Sequence, residues 1–320
     1  MKKIKHIVFG GAGFVGINLV KKLQEKNETI LVVDNLSNSR KDVLLNISNK
    51  SLVFFKHLDI NNTYDMEGLS KTYSFDKQSI VWHLAANSDI ASGIDDITID
   101  LNDTFLTTIA ILKFCKLNSI KQLAFASSSA VYGNLDGIAV SEEHGPLYPI
   151  SNYGAMKLAS EAAISAAFEQ YLDKSIIFRF PNVVGFPSTH GVIHDFINKL
   201  KQNPNILNVL GDGNQQKCYV HSEDLADMLI NIFDETFGLD ILNIGPEDDG
   251  IKVSRIAELV VDKMSQDAEI RYEDKKQGWV GDVPVFKYDS TKMISLGFKP
   301  LKSSEEAVIQ TISQILTESF

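Results

Sequence analysis

Cysteine is scarce in this chain. Of 320 residues only Cys115 and Cys218 are cysteines, too few and too far apart for a disulfide framework or a cysteine-based metal site. Both read as small buried apolar residues in a reducing compartment. Long hydrophobic runs are absent: no stretch approaches the ~18 residues that would cross a bilayer. Positive charge is in deficit, with 31 Lys and Arg against 41 Asp and Glu and a formal net charge of -10. Such a surface repels phosphate backbones, and no basic patch compensates, since even Lys275 and Lys276 follow Glu273 and Asp274. Nucleic-acid and membrane partners are therefore not expected. The basic start Met1-Lys2-Lys3-Ile4-Lys5-His6 leads into a short apolar stretch and then a glycine-rich turn. That order suits a first β-strand better than a signal peptide, so a cytoplasmic protein is expected. Internal repeats and low-complexity segments are missing too.

What is present is an ordinary globular composition, 44% hydrophobic, with short β-rich runs alternating with helical periods. Strands are expected at 7–9, 30–33, 53–56, 80–84, 122–126, 176–180 and 241–244. Helices are expected at 15–26, 65–73 and 103–117. Strands separated by helices imply an α/β fold, a Rossmann-type doubly wound parallel sheet covered on both faces. After residue 180 the pattern loosens around Pro181, Pro187 and Pro204 and the glycines at 185, 191, 211 and 213. The expected division is a dinucleotide-binding domain over 1–180, with a returning segment at about 217–247. A smaller, discontinuous α/β substrate domain over 181–320 is expected to rest on the carboxyl edge of the sheet, leaving a cleft for ligand.

Gly10-Gly11-Ala12-Gly13-Phe14-Val15-Gly16 directly follows the first strand and opens the first helix. Glycines at 10, 13 and 16 permit a tight turn, close approach of backbone to a pyrophosphate, and close helix–strand packing. Asp34, followed by Asn35, closes the second strand, where a carboxylate accepts both ribose hydroxyls of NAD and repels the 2′-phosphate of NADP. Arg40, further on, is the one nearby feature that would suit NADP. Asp59 and Ile60, after the third strand, are placed to hold and cover adenine.

Tyr153 and Lys157 stand at i and i+4 on one helical face. The cation is expected to lower the phenol pKa and so make Tyr153 a base nearer neutrality, and Lys157 can also reach the nicotinamide ribose. Ser127-Ser128-Ser129-Ala130-Val131-Tyr132-Gly133 lies just beyond the fifth strand, where one of the serine hydroxyls can hold the oxygen that Tyr153 deprotonates.

With these residues the chain resembles the extended short-chain dehydrogenase/reductases of the nucleotide-sugar epimerase/dehydratase family, and most of all the UDP-glucose/UDP-galactose 4-epimerases. The likeness runs from Gly10 to about Pro300. His83-Leu84-Ala85-Ala86 matches the family's segment beside the cofactor, and Asn102 falls on its structural Asn behind the active site. Arg179-Phe180-Pro181-Asn182-Val183-Val184-Gly185 resembles R-x-x-N-x-x-G, whose Asn contacts substrate. Tyr219 to Ala226 resembles the segment that docks the smaller domain. The resemblance selects Ser128 as the catalytic hydroxyl, by its spacing from Tyr132 and from Tyr153. It makes Gly10, Gly13, Phe14, Val15, Gly16, Asp34, Asn35, Asp59, Ile60, Leu84, Ala85, Ala86, Asn102 and Lys157 cofactor contacts. Ser128, Ser129, Tyr153, Asn182, Val192, Lys217 and Asp282 become substrate contacts, and a homodimer through 103–117 and 152–171 is implied.

Departures narrow the chemistry. The family's 4,6-dehydratases carry an acid after the catalytic hydroxyl residue, where this chain has Ser129 and Ala130. Its reductive 3,5-epimerases use a Cys and a His, and no Cys lies near Ser128. Lys217 replaces an Arg against the diphosphate, keeping the charge without the bidentate fork. Trp279 replaces another Arg in the segment that ends at Asp282 and Pro284. His190 and His194, with Asp195, read as substrate-loop residues because no third metal ligand is in view, so no metal is expected. Transient oxidation at sugar C4 remains. It is expected of a 4-epimerase acting on a UDP-hexose, or alternatively of a C4 dehydrogenase of a nucleotide-linked hexose or heptose such as a GDP sugar. A non-catalytic NAD-binding relative is the third reading, ranked below because Ser128, Tyr153 and Lys157 are all present. From Asp34, NADP should bind at least about tenfold more weakly than NAD, a difference of about 1.4 kcal/mol. Equal affinities in a titration would overturn the role of that carboxylate.

Overall fold

The computed structural model describes residues 1–39, 51–87, 89–90, 92–135, 137–188, 190–274, 283, 285–299 and 302–318. Arg40, Trp279, Asp282 and Pro284 lie outside the described residues. The chain divides into two compact units: Met1–Gly133, Leu147–Arg179 and Ala226–Leu242 form the first, and Asn134–Pro146, Phe180–Leu225 and Asn243–Phe320 form the second.

The first unit is built on a seven-stranded sheet. In chain order its strands are β1 (His6–Phe9), β2 (Ile30–Asp34), β3 (Val53–His57), β4 (Ile80–His83), β5 (Gln122–Ser128), β6 (Lys174–Phe180) and β7 (Gly238–Asn243). They lie in the order β3-β2-β1-β4-β5-β6-β7. Parallel registers join β1 to β2 and β4, β2 to β3, and β4 to β5. This is the Rossmann-type α/β fold. The residues of β1, β2 and β4 are buried throughout, which explains why they read as unbroken apolar runs rather than alternating ones. Observed strands differ from expectation by a few residues at their ends, most at β7, which starts at Gly238 rather than 241.

Helix α1 spans Phe14–Gln24, with Lys21 and Lys22 in the last turn, where the helix dipole favours cations. Helix α2 (Thr63–Thr72) is capped by Asn62, whose side chain accepts from the N–H groups of Tyr64 and Asp65. One regular helix was expected over 103–117. Instead a π-helical stretch, Leu101–Leu106, precedes α3 (Thr107–Leu117). Threonine hydroxyls explain the widened turn. Thr107 donates to the carbonyls of Asp103 and Thr104, Thr108 donates to Thr104, and Thr104 accepts from the N–H of Asn87. Helix α4 (Asn152–Gln170) is capped by the Ser151 hydroxyl at 3.1 Å from the Gly154 nitrogen. Phe9, Leu31, Phe114, Cys115 and Ile164 meet in the core between sheet and helices.

The second unit has its own core, in which Ile197, Leu207, Ile256, Val260 and Val308 are buried. Helices α5 (Val192–Gln202), α6 (Val253–Met264) and α7 (Ser304–Glu318) supply part of it. Short strand pairs complete the unit, among them Asn182–Val184 with Tyr219–His221 and Ile206–Val209 with Glu269–Tyr272, both parallel. Both cysteines are free and buried, and burial pushes each thiol up to about 12, so neither is set up as a nucleophile. No helix among the described residues is long and apolar enough to cross a membrane.

The strand order reverses between β1 and β4, and there the backbones meet. Gly10 has φ +77°, and a Cβ on it would lie 2.6 Å from the Ala85 nitrogen and 2.8 Å from its Cα. Backbone at β4 cannot yield as a flexible side chain would. Gly10→Ala should therefore cost about 2–5 kcal/mol, from left-handed strain of ~1–2 and overpacking of ~1–3. Gly68, inside α2, provides the contrast, because a Cβ added there would meet nothing within 4 Å. Gly68→Ala should stabilise by roughly 0.5–1 kcal/mol. Urea midpoints for the two variants check both signs.

Candidate active site

Gly10 to Gly16 and the start of α1 sit at this switch point, where open α/β sheets bind ligands beyond the carboxyl ends of their strands. A Cβ on Gly16 would lie 2.4 Å from the Gly10 oxygen, so the loop is closed on itself. Gly13 precedes Phe14 and Val15 without a side-chain cap, which leaves first-turn N–H groups for an anionic ligand. Asp34 is buried at the end of β2. Its carboxylate accepts from the Ala12 nitrogen at 3.0 Å, the Leu36 nitrogen at 2.8 Å and the Ser39 hydroxyl at 2.9 Å. The acid thus holds the glycine loop and the β2 turn together. Ser39 and the Ala12 amide were not foreseen, since backbone and loop partners leave no sequence signal.

Other expected cofactor residues gather around the same edge. Leu84, Ala85 and Ala86 are half-buried after β4, and Ala85 packs on Gly10. Asp59 is exposed and accepts from the Asn61 nitrogen at 2.9 Å, while Ile60 is buried. Asn35 is exposed and accepts from Ser37. Asn102 is exposed on the π-helical turn, and its carbonyl accepts from the Asn61 amide at 2.9 Å. Backbone-lined glycines, uncapped helix start and buried acid together fit a dinucleotide.

Ser128 ends β5 and Tyr153 is the second residue of α4. Direct packing brings them together, because a Cβ on Gly154 would lie 2.4 Å from the Ala130 oxygen and one on Gly133 2.0 Å from the Tyr148 oxygen. The Ser128 hydroxyl accepts from the Ala130 nitrogen at 3.2 Å and lies near enough to the Tyr153 phenol to act on its pKa. Lys157, one turn later, is buried and donates to the Ala126 carbonyl at 2.6 Å. Its nitrogen lies 5.6 Å from the centre of the Tyr153 ring.

The electrostatics correct one expectation. Burial pushes the Tyr153 phenol above its ordinary value, with the Asp100 carboxylate adding to the rise and the Ser128 hydroxyl opposing it. Lys157 does not lower it here, because burial brings the ammonium itself down to about 7, against the upward pull of Glu161 and Asp100. Asp100 was not foreseen. Fully buried, it accepts from the Asn87 amide at 2.9 Å, its second oxygen has no partner among the described residues, and burial raises its pKa. Nothing in the sequence marks it out from other helix-start acids. Glu161 was not foreseen either, although its place at the next i+4 position after Lys157 is a signal that could have found it.

Ser129 is half-buried at the start of the turn that follows Ser128. The remaining expected substrate residues belong to the second unit. Asn182 is exposed and pairs with Tyr219 across a parallel register, Val192 starts α5, and Lys217 is half-buried in a short antiparallel pair with Ile251. His194 is helical rather than in a loop, with Nδ1 3.0 Å from the Asn198 amide nitrogen.

A pH test follows from Lys157. Its pKa falls from 10.5 to about 7 on folding, so between those values the unfolded chain binds more protons and stability rises with pH. Cofactor-free wild type should therefore gain on Lys157→Met as pH is raised from about 7 to about 9. Urea midpoints that stay parallel would contradict the assignment.

Comparison with known proteins bears on this geometry. The model of the NAD dependent epimerase/dehydratase family matches residues 6–245. A Methanocaldococcus jannaschii protein named "Putative UDP-glucose 4-epimerase" is 30% identical over 312 residues, spanning 96% of this chain and 97% of its own. A UDP-N-acetyl-alpha-D-glucosaminuronate decarboxylase of Bacillus cytotoxicus is 26% identical over 98% of this chain and 97% of its own. A crystal structure of a UDP-galactose 4-epimerase matches with TM-score 0.86 and 32% identity, over 99% of this chain and all of the other.

Proposed function

The chain belongs to the NAD dependent epimerase/dehydratase family, and from that premise we propose that it is a nucleotide-sugar 4-epimerase working by transient oxidation at C4. As a member it is an NAD-dependent sugar-nucleotide enzyme. The observation that carries the finer reading is Ser128 at the end of β5 beside Tyr153 on α4, with Lys157 one turn behind and Ser129–Ala130 where an acid would be needed for dehydration.

NAD, when bound, supplies a hydride acceptor at sugar C4 that also returns the hydride. The chain's own groups do the rest. The Gly10–Gly16 loop and the start of α1 hold the pyrophosphate, Asp34 and Asn35 the adenosine ribose, and Asp59 with Ile60 the adenine. Lys157 holds the nicotinamide ribose. Ser128 holds the C4 oxygen while Tyr153 removes its proton and later restores it, general acid–base work within hydrogen-bond reach. Asn182, Val192 and Lys217 of the second unit, with Ser129 and Asp282, are the proposed substrate contacts. The UDP-sugar names of the 30% and 32% identical relatives support a UDP-hexose substrate. The resemblance also supports a homodimer through 103–117 and 152–171.

Eliminating water across C5 and C6 needs one group to take the C5 proton and another to protonate the leaving hydroxyl. Ser129 is not acidic enough for either, and Ala130 has no polar side-chain atom. Incubation with UDP-glucose or UDP-galactose should give the C4 epimer, with C6 oxygen retained and little change in reduced-nicotinamide absorbance. Tyr153→Phe should lower turnover ~100- to 10,000-fold while NAD stays bound. Bound reduced nicotinamide that persists until a keto acid is added would favour the C4 dehydrogenase. A 6-deoxy product by NMR, or normal turnover by Tyr153→Phe, would overturn the mechanism.

A further inference from the structure

Behind the Ser128–Tyr153–Lys157 group lies a second set of polar side chains, closed to solvent, that none of the catalytic roles uses. Arg179, near the end of β6, and Glu161, on α4, have side chains 3% and 5% exposed. They form a two-point pair, Nε to Oε1 at 2.9 Å and Nη2 to Oε2 at 2.6 Å. The remaining guanidinium nitrogen, Nη1, donates to the Tyr132 hydroxyl at 2.9 Å, and the guanidinium carbon lies 4.8 Å from the centre of that ring. The Ser127 hydroxyl donates to Glu161 Oε1.

The placement of these partners is informative. Ser127 immediately precedes Ser128 on β5, and Tyr132 ends the turn that Ser128 opens. Glu161 follows Lys157 by one helical turn, and Lys157 bonds the Ala126 carbonyl while Glu161 bonds Ser127. Neighbouring residues of β5 are thus held by successive turns of α4, and Arg179 fastens that junction to β6. We infer that Glu161 and Arg179 are positioning residues, a buried clamp that fixes the Ser128 strand end against the Tyr153–Lys157 helix and sets the charge felt by Lys157.

The inference rests on the catalytic roles proposed above, and its charge component can be separated from its packing component. Lys157 faces Tyr153 and Glu161 on its own helix, Asp100 on the helix before the π-helical turn, and His83 at the end of β4. His83 is buried and held neutral, with its pKa well below the ordinary value. Among these groups only the Glu161 charge is matched by a guanidinium. Removing Glu161 leaves Arg179 to repel the Lys157 ammonium, whereas removing Arg179 leaves Glu161 to attract it. A scaffold role alone would shift neither.

Glu161→Gln and Arg179→Met should each lower kcat about 10- to 100-fold, since small misplacements of reacting groups cost that much, with KM for the nucleotide sugar little changed. The pH at which NAD affinity of the cofactor-free protein weakens should move down in Glu161→Gln and up in Arg179→Met, by at least about half a pH unit each. The double variant Glu161→Gln/Arg179→Met leaves no unpaired buried charge, so it folds where a single variant fails, and its pH midpoint should return toward wild type. Ser127→Ala, which changes no charge, should reduce kcat with an unmoved midpoint. Wild-type kcat in both single variants, or midpoints that move together or stay fixed, would sink the clamp. Failure of the catalytic reading would show separately, as normal turnover by Tyr153→Phe.

Discussion

Everything at this site depends on a contact between backbones. Gly10 meets Ala85 where β1 and β4 lie side by side, and Gly16 meets Gly10 where α1 crosses back over β1. No side chain intervenes at either place. The approach brings the start of α1 over the carboxyl edge of the sheet, with the Gly13 N–H bonded to the Gly10 carbonyl at 3.2 Å and the first helical turn left without a side-chain cap. A second contact of the same kind, Gly154 on the Ala130 carbonyl, sets α4 against the end of β5. The glycine loop and the proposed catalytic pair are therefore both positioned by glycine, and the side chains assigned to the chemistry are carried to their places by packing that contains none of them.

This explains what was legible in the sequence and what was not. Fully buried strands such as Ile30–Asp34 announce themselves through unbroken apolar runs, and glycines at 10, 13 and 16 through their spacing. Tyr153 and Lys157 were legible because helical i+4 spacing restricts where their atoms can go, whereas Ser128 was singled out from its neighbouring serines by the family resemblance. Gly154 and Gly133 carried no such signal, since what makes them necessary lies across the fold at Ala130 and Tyr148. The π-helical turn escaped for a related reason. Its threonines look like ordinary helix residues until their hydroxyls are seen competing for backbone carbonyls. The exposed side chain of Asn102 belongs to the same turn.

The sign of the Tyr153 shift was misread because the i+4 geometry gives proximity but not solvation. An ammonium beside a phenol lowers its pKa only if the ammonium is itself stable there. Lys157 is buried, with one carbonyl as its hydrogen-bond acceptor, and loses much of its own charge to desolvation. Sequence spacing contains no information on that depth, which is set by β5 and the Phe125 ring lying 4.8 Å from the nitrogen.

Burial moves Asp100 and Tyr153 up, and Lys157 and His83 down, so each leans toward its neutral form. The Glu161–Arg179 pair behind them is an ion pair, internally compensated by two-point hydrogen bonding. The cofactor-free site thus avoids the cost of isolated buried ions while keeping these four titratable groups within influence of one another. Under the mechanism proposed above, ionisation of Tyr153 depends on what enters the site: a substrate oxygen beside Ser128, and ribose hydroxyls that would give Lys157 more partners than a single carbonyl. Proton transfer is in that way tied to occupancy, and the groups that enforce the tie are those packed behind the catalytic residues.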